Sequence, residues 1–288
     1  MFKQGVPQGS VLSPLLFAIF TSDLPEQCKH SNVEVYADDV ITEQSAVATA
    51  QAEVEISEDL SAIKRWSDRW LLPLNPSKCE TMTFTPATRE CSRQSQIHID
   101  NVRISSPEVV TYLGVKFDKM LHFHNHVDAV CSKVKVKARV KAIGRLSGAT
   151  WGPSTDDLRV LYKSYVLPVI TYGLPAWGPM LSNTSYNKLD RALRSAAAAI
   201  TSMHRTSPRE ALHIEAKIPT ARQLVETSTW AAHEKSIRLP HSNPRYSAAT
   251  DSGPKIRVGS KWSPRRLAMS LRSRSSLKNA SVSSLMLN

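Results

Sequence analysis

The chain has 288 residues, enough for one large or two ordinary domains with real cores, and its 41% hydrophobic and 22% charged residues are a globular composition. The net charge of +12 is unevenly spread. Residues 1–115 hold nine Lys/Arg against fifteen Asp/Glu, a net of −6, whereas residues 116–288 hold 28 against 10, a net of +18. An acidic first part followed by a strongly basic second part suits a polyanion held near metal sites, and suits equally a basic surface with no nucleic-acid role. Cys28, Cys79, Cys91 and Cys131 show no CxxC spacing, which argues against a zinc site or a disulfide framework and for reduced, partly buried thiols. No signal peptide precedes the polar turn residues after Met1. The most apolar stretch, 161–177, is broken by Lys163, Pro168, Gly173 and Pro175 and is unfit to span a bilayer. The expectation is a soluble, intracellular protein with no membrane partner.

In chain order, Gln4 to Ser10 form a loop punctuated by Gly and Pro, and Pro14 opens a helix to Ser22 with Leu15, Leu16, Ile19 and Phe20 on its apolar side. Pro25 stops it. Val33-Glu34-Val35-Tyr36-Ala37-Asp38-Asp39-Val40-Ile41 reads as two short strands with Asp38-Asp39 at a hairpin tip. Adjacent carboxylates repel unless a cation or a donor neutralises them, so the pair is either a divalent-metal site or a solvated turn. A long helix, Ser45 to Leu71, follows with Val54, Ile56, Leu60, Ile63, Trp66 and Trp70 as its buried stripe. After Pro73 to Pro76 comes a strand, Glu80 to Phe84. Further strand signals lie at 97–99, around an Asp100-Asn101 turn, and at 109–117.

Alternate histidines in His122-Phe123-His124-Asn125-His126 can share a strand face, but no Cys or carboxylate pattern completes a metal site there. From Val127 to Leu146 the apolar spacing is helical, and Lys133, Lys137, Lys141 and Arg145 place four cations on one face, either a solvated ridge or a phosphate-tracking one. Helices are expected at 156–167, 187–200, 208–213 and 221–236. Residues 236–288, with ten Lys/Arg, one acid and thirteen serines, read as a disordered basic tail.

The segment Gly5-Val6-Pro7-Gln8-Gly9-Ser10-Val11-Leu12-Ser13-Pro14-Leu15-Leu16-Phe17 resembles a palm motif of reverse transcriptases of non-LTR (LINE-type) retrotransposons. Tyr36-Ala37-Asp38-Asp39 follows at the family's distance. Leu74 to Glu80, Tyr112-Leu113-Gly114-Val115 and Leu161 to Gly178 resemble later family segments in order, and the likeness covers roughly residues 1–235. It implies an α+β fold: a partial right-hand polymerase palm with primer-grip hairpin over 1–120, a helical thumb and extension over 121–235, and the tail over 236–288. It also implies RNA-directed DNA polymerase activity by two-metal nucleotidyl transfer, with Mg²⁺ (or Mn²⁺), an RNA template, a DNA primer and dNTPs, in the nucleus. By resemblance Asp38 is a direct metal ligand and Asp39 a ligand or its support. Gln8 and Gly9 border the incoming nucleotide and template base, and Tyr36 and Ala37 lie by the primer end. Lys78 reaches the nucleotide's phosphates, Tyr112, Leu113 and Gly114 grip the primer, and Lys133, Lys137, Lys141 and Arg145 follow the duplex backbone. The chain opens almost directly on the glutamine-glycine segment. The fingers and the first palm strand, which carries another metal-binding Asp, are therefore expected to be missing, with Met1 an internal methionine of a longer reading frame. The expectation is a copy inactive alone; the alternative is a non-catalytic nucleic-acid-binding remnant that uses the basic thumb.

Overall fold

The computed structural model describes residues 5–7, 9–85, 93–136, 151–204, 206–252 and 281–287. The chain divides into two compact units: Met1–Tyr112 with Asp118–Leu121 and Ser263–Asn288, and Leu113–Phe117 with His122–Trp262.

In the first unit, α1 (Ser13–Phe20) is followed by β1 (Asn32–Tyr36), β2 (Asp39–Ala46), α2 (Thr49–Arg69) and β3 (Glu80–Phe84). The short strands β4 (His98–Ile99) and β5 (Val102–Arg103) turn at Asp100-Asn101, both with left-handed backbone, as Asp and Asn tolerate. Val109–Tyr112 (β6) closes this unit's main segment. One side of α2 forms the core. Ile56, Leu60, Ile63 and Trp66 pack with Leu24, Cys79, Ile97, Ile99 and Ile104, and Val35 and Val40 of the hairpin lie against them. The expected stripe was too wide at its ends: Val54 is 59% and Trp70 43% exposed, and the polar Glu53 and Asp59 are buried instead. Each has a partner that a periodicity count does not register. Arg93 lies 2.9 Å from Glu53, and three backbone amides reach Asp59. The α1 helix is apolar all round, so its expected apolar side is not its buried side, and Leu15, Leu16 and Ile19 are all at least half exposed.

The disordered-tail expectation does not hold at either end of that segment. Pro244–Ser252 is helical, and Ser281–Leu287 forms β8. The sheet order is β1-β2-β8-β3, with β8 antiparallel to both neighbours, so β2 and β3 run parallel and α2 crosses between them. Here the crossover leaves a one-strand gap between β2 and β3, and strand edges facing such a gap would present unpaired amides and carbonyls if nothing filled it. The uncharged run Ser281-Val282-Ser283-Ser284-Leu285-Met286-Leu287 pairs with both edges. Composition over the whole 236–288 segment masked this local strand.

The second unit begins with β7 (Val115–Asp118, shared at its last residue with the first unit) and α3 (His124–Val136). The helix expected at 156–167 is divided. Thr155–Leu161 is α-helical behind a Ser154/Asp157 capping box, Tyr162–Val166 forms a wide π turn, and Leu167–Thr171 resumes the α-helix. Pro168 lacks the N–H that a regular helix would direct at Ser164, and the ladder widens there: the Leu167 N–H bonds Tyr162 O instead. Helices at Asn183–Thr201, Arg209–Ala216 and Ala221–Ile237 complete the bundle. Buried Asp190 ties them together, accepting from the Ala221 amide at 2.8 Å and lying 3.3 Å from Arg209. Gly178 is a close contact in this bundle: a Cβ there would stand 2.9 Å from Val225 Cγ2 and 3.1 Å from Leu174 Cδ1. Gly178→Ala is expected to destabilise the unit by about 1–3 kcal/mol through overpacking, read as a lower denaturation midpoint.

Candidate active site

The hairpin between β1 and β2 is the centre of the first unit's functional geometry. Its register pairs Tyr36 with Asp39, Val35 with Val40 and Glu34 with Ile41. The tip is therefore Ala37-Asp38, not Asp38-Asp39 as expected, because Asp39 already opens β2 and pairs across the ladder. Ala37 has φ of 53° and Asp38 a negative φ, the sign pattern of a type II′ turn, which matches the twist of a two-residue hairpin. Residues directly opposite share a face, so Asp39 lies on the side of Tyr36 and Glu34, while Val35 and Val40 face the core. The two carboxylates are thus separated: exposed Asp38 on the tip, half-buried Asp39 on a strand face.

Asp59 of α2 holds the approach to this hairpin. Its Oδ1 accepts from the Lys29 amide (2.8 Å), and its Oδ2 accepts from the amides of His30 (3.0 Å) and Ser31 (2.7 Å). Burial alone would raise its pKa, but these amide donors outweigh burial and hold it below the usual carboxylate value. The Cys28 thiol, beside it, is pushed up to about 11 by burial and by the Asp59 charge, so it is an inert thiol as the cysteine pattern implied. On the other side, Trp66 Nε1 donates to Asp23 Oδ1 at 3.0 Å, anchoring the connection after α1.

A cleft of about 950 Å³ separates the Gly9 loop and α1 from the hairpin tip; Gly9, Ser13, Phe17, Tyr36, Ala37 and Asp38 line it. Gly9 has φ of +87°, and Ser13 Oγ donates to Pro7 O at 2.6 Å, pinning the loop to the first turn of α1. A smaller apolar cavity of about 210 Å³ lies behind the tip, between Phe17, Val35, Trp66 and Leu74. The fold thus brings Gly9, Tyr36, Ala37 and Asp38 to one cleft. It does not bring Asp39 or Lys78 to its lining; Lys78 is exposed on the turn whose Asn75 Oδ1 accepts from Ser77. Gln8 lies outside the described residues. Tyr112 stands near the hairpin, its hydroxyl pKa raised by burial and by the Glu34 and Asp39 charges. Among the described residues no three His, Cys, Asp or Glu side chains converge to hold a metal. The sequence pattern did not mark Asp59, nor the hydrogen bonds that give Ser13 and Asp23 their roles, because each acts through a partner distant in sequence or on the backbone.

In the second unit, Leu113 and Gly114, with φ of 44° and 78°, turn the chain ahead of β7, and Tyr172 Oη donates to Leu113 O at 2.7 Å. The helix starts among the three histidines, and they do not form one row: the His122 and His124 rings lie 5.6 Å apart, whereas His126 has partners of its own. His124 Nδ1 lies 3.0 Å from Ser185 Oγ. Buried His126 Nδ1 accepts from the Lys116 amide at 3.2 Å, and its ring packs edge-on against Trp177. Burial, with Lys133 and Lys116 adding to it, lowers the His126 pKa to about 4. Lys133 is exposed on α3; Lys137, Lys141 and Arg145 lie outside the described residues. No helix among the described residues is long and apolar enough to cross a membrane.

Residues 1–117 match the family described as reverse transcriptase (RNA-dependent DNA polymerase). The RNA-directed DNA polymerase from mobile element jockey of Drosophila funebris is 29% identical over 270 residues, covering 89% of this chain and 28% of that protein. The probable RNA-directed DNA polymerases from transposon BS and transposon X-element of Drosophila melanogaster are each 28% identical, over 84% and 88% of this chain. The chain spans 27% and 28% of their respective lengths. No solved structure matches it.

Proposed function

We propose, from the match of residues 1–117 to the reverse transcriptase family and the likeness to LINE-type mobile-element polymerases over most of the chain, that this is the part of an RNA-directed DNA polymerase that carries the Asp38 turn and the nucleic-acid-holding helices that follow it in sequence. The observation that carries the reading is the cleft in which Asp38, Ala37 and Tyr36 face Gly9. A cleft of this size admits a nucleotide and a strand end, and the left-handed Gly9 lets backbone approach a base closely. Asp38 would hold a divalent cation, Mg²⁺ or Mn²⁺, with Asp39 close enough along the chain to support it. Such ions neutralise charge at the attacking 3′ oxygen and at the departing pyrophosphate. Tyr36 and Ala37 would border the primer end, Ala37 leaving the surface low enough for a strand to pass. Gln8 would join Gly9 at the nucleotide, and Lys78 would reach the phosphates from its exposed turn. Tyr112, Leu113 and Gly114 would grip the primer. Lys133 with Lys137, Lys141 and Arg145 would follow the duplex backbone. RNA template, DNA primer and dNTPs are then the partners, and the nucleus the place of action.

We further propose that the site is incomplete in this chain alone. The strands hydrogen-bonded to β2 are its own hairpin partner β1 and, on the other side, β8, whose residues are Ser, Val, Leu and Met and bring no carboxylate to complement Asp38. Two-metal transfer needs acids from neighbouring strands. A primer-extension assay with the purified chain on an RNA template is expected to show no Mg²⁺-dependent synthesis; clear synthesis that Asp38→Ala abolishes would overturn this. The net charge of +18 over residues 116–288 favours a second reading, nucleic-acid binding without chemistry. Its mark is salt-dependent RNA binding that survives both Asp38→Ala and Asp39→Ala.

A further inference from the structure

We infer that the second unit holds a pocket for one phosphate of a nucleic-acid strand, built by His126 and Lys133 beside the Gly114 turn. The inference rests on the polymerase reading for the source of the phosphate, and on the following geometry for the site. A cavity of about 460 Å³ is lined by Gly114, His126, Lys133, Pro168 and Tyr172, and no acidic residue lines it. Because His126 Nδ1 accepts the Lys116 amide, the ring's proton sits on Nε2. Nε2 is buried and has no hydrogen-bond partner among the described residues. His126 is 3% exposed, so this is a donor withdrawn from water and left unsatisfied, a costly arrangement that a bound acceptor would relieve.

The surrounding charge determines which acceptor fits. Lys133 makes no ion pair among the described residues, and the charges of both Lys133 and Lys116 bear on His126. An anion relieves that positive field, whereas a neutral acceptor would not. The volume exceeds that of an inorganic phosphate and has room for a sugar, for which Pro168 and Val169 offer apolar wall. A sugar-phosphate unit matches all of these features. The Tyr172 hydroxyl is already committed to Leu113 O, so it shapes the mouth without competing for the ligand.

The test uses the full chain in two arms. In the first, inorganic phosphate is titrated while the His126 ring nitrogens are followed by NMR; a saturable shift is expected in the wild type and none in Lys133→Met. In the second, a labelled RNA–DNA duplex is bound at several salt concentrations. Lys133→Met is expected to lower the slope of log K against log salt by about 0.9, one phosphate contact. His126→Asn keeps an acceptor for the Lys116 amide but removes the Nε2 donor, and is expected to weaken duplex binding at fixed salt. Duplex binding whose slope and affinity are unchanged in both variants would overturn the pocket while leaving the polymerase reading standing. Phosphate shifts at His126 without duplex binding by the wild type would overturn the assignment to a strand, as would a mononucleotide bound more tightly than the duplex.

Discussion

Asp59→Ala is expected to destabilise the first unit by about 3 kcal/mol, measured as a shift in its denaturation midpoint. The substitution removes a buried carboxylate that accepts three backbone N–H groups, and hydrogen bonds to charged acceptors are the strong ones. Asp59→Asn is expected to cost less. An amide oxygen can still accept from Lys29, but its NH₂ must face the His30 and Ser31 amides, donor against donor. The two variants also differ from wild type in pH dependence. The folded pKa of Asp59 is depressed, so its contribution is fully present above the unfolded value of about 3.9 and is lost as pH falls through the lower folded value. The acid limb of the stability profile should therefore be shallower in Asp59→Asn than in wild type. An unchanged limb would show that the clasp does not couple to folding. Because residues 29–31 lead directly into β1, loosening them is also expected to raise amide exchange in the Asp38 hairpin.

Trp177→Ala is expected to cost the second unit about 3–5 kcal/mol, the range for emptying a large buried aromatic site. Trp177 is fully buried, its Nε1 donates to Tyr172 O at 3.0 Å, and its ring meets His126 at a centroid distance of 4.8 Å. Trp177→Phe retains much of the packing but leaves the Tyr172 carbonyl without this donor, and a loss of about 1–2 kcal/mol is expected. Denaturant melts of the full chain measure both. If Trp177→Ala left the midpoint unchanged, the bundle around Leu174 and Val225 would have to collapse into the space without cost. The same ring holds His126 in place, so the two substitutions should also broaden the His126 ring signals used to follow phosphate.

Wherever the local pattern decided the outcome, it was legible in the sequence. The strand Glu80–Phe84, the Asp100-Asn101 turn and the helices near 187–200 and 221–236 all form within a few residues of expectation, because periodicity and turn chemistry act over short spans. The resemblance to reverse transcriptases was legible too, since an ordered series of motifs carries it, and residues 1–117 match that family. Local pattern failed where a partner distant in sequence intervenes. Glu53 and Asp59 break the apolar stripe of α2 yet are buried, because Arg93 and the amides of residues 29–31 reach them. Ser281–Leu287 lies in a basic, serine-rich stretch yet forms a strand, because β2 and β3 leave a gap that only pairing can close.

The same division runs through the candidate site. The sequence by itself determined that two adjacent carboxylates sit at a turn between β-branched strands, and that basic charge collects in the second part. Only the tertiary structure decided that the turn is Ala37-Asp38, which puts Asp38 on the cleft and Asp39 on the strand face beside Tyr36. Only it brought Gly9 to that cleft and left Lys78 outside its lining. It likewise turned His126 away from its neighbouring histidines and into a cavity with Lys133. The physical reason is common to all of these: residue type limits which interactions a side chain can make, whereas register and packing between distant segments determine which of them it makes.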